Sequence, residues 1–153
     1  MKKKLIRRKP TIAVFADGSC RHLTEPLSRG GYDVMVMDSI GQLHVYARDG
    51  RVDLAIVDNP AAEPYLLSVL SPLVESCSVI VVAGAPGADG FGDRITATWA
   101  GADAVVATQF DADELLGLVR TVLRRSKRRL AARRRAQLGV MELRDLLRRS
   151  KTA

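Results

Sequence analysis

Asp58 is the side chain placed best to do chemistry. It ends the apolar run Val52-Asp53-Leu54-Ala55-Ile56-Val57-Asp58 and is followed by Asn59-Pro60. An apolar run stopped by turn residues reads as a central parallel strand covered on both faces. Asp58 then lies at the carboxyl edge of the sheet, where open α/β sheets place their sites. A carboxylate there can act as a nucleophile or cap the next turn, and its neighbours decide between the two. A second acid, Asp17, ends the run Ile12 to Asp17 ahead of Gly18-Ser19. His22 and His44 have no catalytic partner at a recognisable spacing and read as helix-surface histidines. Cys20 and Cys77 lack metal-ligand spacing, which points to reduced thiols and away from zinc. Gly84 to Gly92 holds four glycines and a proline. Without a Gly-Lys-Ser/Thr ending it is a mobile loop and not a phosphate cradle.

The elements that hold these residues alternate. Strands are expected at Ile12 to Asp17, Tyr32 to Asp38, Val52 to Asp58, Cys77 to Ala83 and Ala104 to Ala107. The first helix carries Leu23 and Leu27 on one face, with Pro26 breaking the pattern, and ends at Gly30-Gly31. A second runs from about Gly41 to Ala47. A third starts near Pro64, shows Tyr65, Leu66, Val69 and Leu70 as a stripe, and closes at Pro72. A fourth spans Arg94 to Ala100 and carries Trp99, which reads as core packing. Asp111 with Glu114 three residues on caps the fifth. Five strands alternating with five helices imply right-handed crossovers and a flavodoxin-like, doubly wound, five-stranded parallel sheet.

A chain of 153 residues suits one domain with an extension. The net charge of +7 is unevenly spread: residues 1–9 hold six bases and no acid, 10–119 hold five arginines against fifteen acids, and 120–153 hold thirteen bases against Glu142 and Asp145. An acidic body with two basic ends suggests ends that meet an acidic partner or fold back on the body. No apolar run approaches bilayer length, and the stretch after the basic start is too short for a signal-peptide core, so a cytoplasmic protein is expected.

With the strands and their terminal residues placed, the stretch Thr11 to Arg125 resembles the receiver domain of bacterial two-component response regulators. The resemblance is carried by VDLAIVD and by Gly101-Ala102-Asp103-Ala104 through Phe110-Asp111-Ala112-Asp113-Glu114-Leu115. It implies that Asp58 is the phosphoacceptor position and that Mg2+ would be held by Asp17 and Asp58. It also exposes departures. Ala16 stands where the family has a second acid after strand one. Ala83 replaces the hydroxyl residue ending strand four, Val105 the aromatic switch, Thr108 the lysine and Gln109 the proline. A charge-assisted hydrogen bond contributes roughly 1.5–3 kcal/mol, so these losses weaken acyl-phosphate formation and its coupling to shape. The pattern resembles a degenerate receiver, or pseudo-receiver.

The tail departs furthest from a bare receiver. Residues 124–135 pack eight bases into twelve positions: Arg124, Arg125, Lys127, Arg128, Arg129, Arg133, Arg134 and Arg135. Beyond them Ala136, Val140, Leu143 and Leu147 recur at helical spacing on a short terminal helix interrupted near Gly139. Pairing of Val140, Leu143 and Leu147 with a second copy, or their docking on the domain, is the first expectation, because short amphipathic helices are marginal alone. Non-specific nucleic-acid binding by the basic cluster is the second. An anionic membrane surface is disfavoured, since the densest basic part has almost no apolar face. The expected organisation is a basic arm at 1–10, a receiver-like domain at 11–125 and a basic helical extension at 126–153. The expected function is a non-enzymatic signalling module that acts through a protein partner and as a homo-oligomer. The alternatives are a receiver phosphorylated on Asp58 with Mg2+ and a nucleic-acid-binding regulator.

Overall fold

Strand β1 (Thr11–Ala16) is followed by α1 (Arg21–Arg29), β2 (Asp33–Val36), α2 (Ile40–Arg48), β3 (Leu54–Asp58), α3 (Tyr65–Ser76), β4 (Ser78–Ala83), β5 (Ala104–Ala107) and α4 (Ala112–Lys151). This computed structural model describes residues 8–16, 18–58, 65–83, 98, 101–107 and 109–151, with the side chains of 65–67, 130, 133 and 134 left aside. The expected helix over 94–100, with Trp99, lies outside the described residues apart from the helical Thr98. So does the loop from Gly84 to Gly92.

All strand pairs are parallel and the order is β2-β1-β3-β4-β5, a doubly wound sheet with β3 at its centre between β1 and β4. Strand side chains alternate between the two faces, and each face meets its own helices. Ala13, Ala55, Val57, Val79 and Val81 cluster with Leu43 and Ala47 of α2 and with Val69, Leu70 and Leu73 of α3. Ile12, Val14, Leu54, Ile56, Ile80 and Val82 cluster with Leu23 and Leu27 of α1 and with Leu115, Val119 and Val122 of α4. Each such valine, leucine or isoleucine side chain stabilises the fold by about 1.5–3 kcal/mol through burial.

Two prolines expected to break helices do not. Pro26 lies inside α1 and Pro72 inside α3. The side chains of Leu27 and Leu73 next to them are fully buried, and that apolar burial offsets a lost backbone hydrogen bond. Local signals decide the helix ends: Ser39 Oγ accepts the Gln42 amide at α2, and Asp111 Oδ1 accepts the Glu114 amide at 2.8 Å at α4, as the sequence predicts. Between α1 and β2 the chain reverses at Gly31, whose φ of +87° strains any side chain with a Cβ.

The largest departure from the sequence reading is α4. It is one helix of 40 residues, about 60 Å long, with no interruption at Gly139. Arginine, alanine and leucine are strong helix formers, and one interior glycine, at about 1 kcal/mol, does not end a helix that long. Its first three turns bury Leu115, Val119, Val122 and Leu123, while every described side chain from Lys127 onward is exposed.

Candidate functional site

The carboxyl edge of the sheet is set by strand register. Asp58 of β3 pairs with Ala16 of β1 on one side and with Val82 of β4 on the other, and Ala83 pairs with Ala107 of β5. Asp58 is buried at the end of its strand, with 7% of its surface exposed. Its side chain has a partner that spacing did not reveal: His22 Nε2 lies 2.9 Å from Asp58 Oδ2. His22 is the second residue of α1 and its side chain remains 44% exposed. Its ring centroid lies 6.0 Å from that of Phe110, which precedes the Asp111 cap of α4. The imidazole thus bridges the start of α1, the end of β3 and the approach to α4. His22 is thus a helix-surface histidine, as its sequence reading has it, that also contacts the site. His44 is also partnered, with Nε2 2.9 Å from the carbonyl oxygen of Val69 on α3.

Among the described residues, the ends of β1, β4 and β5 at this edge carry only apolar side chains. Ala16 is half-buried, Ala83 is buried and ends β4 with a methyl side chain, and Val105 is half-buried against the α2–α3 face. Gln109 is exposed. Asp17 and Thr108 lie outside the described residues. A hard divalent cation needs several oxygen ligands. Among the described residues no group of three or more His, Cys, Asp or Glu could hold a metal ion, and the Asp58 oxygen faces an imidazole.

The opposite, amino edge is richer in charge. Asp53, just before β3, accepts the Thr11 amide through Oδ2 at 2.7 Å. Asp103, just before β5, accepts the Val79 amide through Oδ2 at 2.9 Å and the Arg129 guanidinium through Oδ1 at 2.8 Å. Arg129, one of the eight tail bases, is thus tied to the domain, while the described side chains of Arg124, Arg125, Lys127, Arg128 and Arg135 are exposed. Between these acids and the tail lies a cavity of about 420 Å³, lined by Arg8, Lys9, Asp53, Cys77, Lys127 and Arg129 among others. Burial pushes the Cys77 thiol up to about 12; the nearby Asp103 and Asp53 add to this, and a hydrogen bond from the Ala55 backbone works against it. A thiol held protonated is no nucleophile at neutral pH.

No family model matches the chain, and no curated protein matches it. Solved structures do. A CheY-like response regulator receiver domain protein from Methanospirillum hungatei JF-1 superimposes with a TM-score of 0.66 at 17% identity, covering 80% of this chain and 99% of that one. A response regulator from Thermotoga maritima gives 0.63 at 22% identity, covering 76% and 98%. NtrX from Brucella abortus gives 0.68 at 18% identity, covering 86% of this chain and 30% of that one. The β2-β1-β3-β4-β5 sheet, with Asp58 at its carboxyl edge, has the fold of CheY-like response regulator receiver domains.

Proposed function

We propose that this chain is a receiver-type signalling module that works by binding a protein partner and by pairing with a second copy, without catalysing a reaction. In this reading Asp58 is held by His22 and does not serve as phosphoacceptor. The observation that carries it is the 2.9 Å contact between His22 Nε2 and Asp58 Oδ2 at a buried carboxylate. A phosphoacceptor needs its oxygen free to attack and a cationic side chain to steady the transferred group. Here Oδ2 faces the imidazole, and the side chains of Ala83 and Val105 bring only hydrocarbon. Among the described residues no helix is long and apolar enough to cross a membrane.

Intact-mass measurement after incubation with a small phosphodonor and Mg2+ tests the reading. An unmodified mass is expected. A single phosphoryl adduct that disappears in Asp58→Asn would identify a phosphorylatable receiver and overturn the proposal.

A second reading, nucleic-acid binding, is favoured by the exposed bases along α4 beyond the domain. Such binding would be electrostatic, with affinity falling steeply as salt displaces the released counterions. A gel shift that persists above about 0.3 M salt would contradict that mode of binding.

A further inference from the structure

The last turns of α4 present an apolar face with nothing against it. Val140, Leu143, Leu146 and Leu147 are 54%, 62%, 65% and 56% exposed. With Ala136 and Gly139 they recur at three- and four-residue steps on a continuous helix, one side of about three turns. We infer that this face pairs antiparallel with the same face of a second copy, centred on Leu143. The inference deepens the self-association reading above and rests on it.

Three observations choose the occupant and the orientation. The first is Gly139, a residue unfavourable in a helix interior. A Cβ built there would meet nothing within 4 Å, so nothing in the chain's own packing calls for a glycine. On this face its bare backbone leaves room for close approach by another backbone or a bulky side chain.

The second is size. Small residues, Ala136 and Gly139, stand at one end of the face, and Leu146 and Leu147 at the other. A parallel pair would stack small on small and large on large, leaving a void at one end and crowding at the other. An antiparallel pair sets each Leu147 over the Gly139 of the other copy and each Leu146 over its Val140, the alternation of large and small that close packing favours.

The third is charge. Eight of the twelve residues 124–135 are basic. Parallel helices, about 8–10 Å apart, would hold the two basic stretches side by side within roughly one Debye length at physiological salt. Antiparallel pairing centred on Leu143 carries their midpoints about 40 Å apart, several Debye lengths, and sets only the shorter cluster Arg148, Arg149 and Lys151 beside the Arg135 end of the other copy's stretch.

The test uses the full chain in light scattering and small-angle X-ray scattering, with Gly139→Leu as the informative variant. A dimer with two lobes is expected, the attached domain segments about 75 Å apart along the paired helices. Gly139→Leu should weaken dimerisation by about tenfold or more, by overfilling the site of closest approach. Retained helical circular dichroism checks that the variant folds, and Leu143→Glu should give a monomer. A dimer with its lobes side by side, or one that Gly139→Leu tightens, overturns the antiparallel arrangement and leaves self-association standing. A monomeric wild type overturns both.

Discussion

His22 and Asp58 are 36 residues apart in sequence, yet His22 Nε2 stands 2.9 Å from Asp58 Oδ2 at the carboxyl edge of the sheet. The contact joins the start of α1 to the end of the central strand. A double-mutant cycle of His22→Ala and Asp58→Ala, followed by urea denaturation, is expected to show a favourable coupling of about 1 kcal/mol or more, because each single change leaves the other group without its partner. Additive effects would mean that the two side chains do not interact in solution.

Asp103 and Arg129 form an asymmetric pair. Asp103 is largely buried and also accepts the Val79 amide, whereas the Arg129 side chain is 64% exposed. Asp103→Ala should destabilise the domain by about 1–3 kcal/mol, since the amide at the start of β4 loses its acceptor. Arg129→Ala should cost about 1 kcal/mol or less, as exposed ion pairs do. Equal losses in chemical denaturation would contradict this division.

Cys77 makes stability depend on alkaline pH. Its thiol has an ordinary value of 9.0 and is pushed up to about 12 in the fold. Above 9.0 the unfolded chain gives up a proton that the folded chain keeps, so this group's contribution is fully present below 9.0 and declines as pH rises toward 12. The slope approaches about 1.4 kcal/mol per pH unit. Denaturation midpoints between pH 8 and 11 should therefore fall more steeply in the wild type than in Cys77→Ala, and parallel pH profiles would refute it.

The two halves of α4 should answer differently to mutation. Leu115 is fully buried between α4 and the sheet, and Leu115→Ala should destabilise by about 2–5 kcal/mol. Deleting residues 136–153 removes no described side chain that is buried in the domain. At concentrations too low for pairing it should shift stability by no more than about 0.5 kcal/mol. A large loss in urea denaturation would show the tail folding back on the domain.

The local arrangements were legible in the residues themselves. The apolar runs of β1, β3, β4 and β5, the position of Asp58 at the end of β3, and the Asp111–Glu114 cap follow from alternation, punctuation and hydrogen bonding over three or four residues. The five-stranded doubly wound sheet follows because helices and strands that alternate have few ways to bury both faces. The continuity of α4 was missed because Gly139 and the basic run looked like breaks, although helix propensity over forty residues outweighs one glycine. Tertiary structure alone decided which distant groups meet. The contacts of His22 with Asp58, Asp103 with Val79 and Arg129, and His44 with Val69 span 24 to 36 residues. Their partners are chosen by the register of neighbouring strands and by the helices laid across them, so no local spacing records them. The sequence by itself determined the scaffold and where its central carboxylate stands. The fold determined that an imidazole stands against that carboxylate, because packing α1 on the sheet brings its second residue to the end of β3.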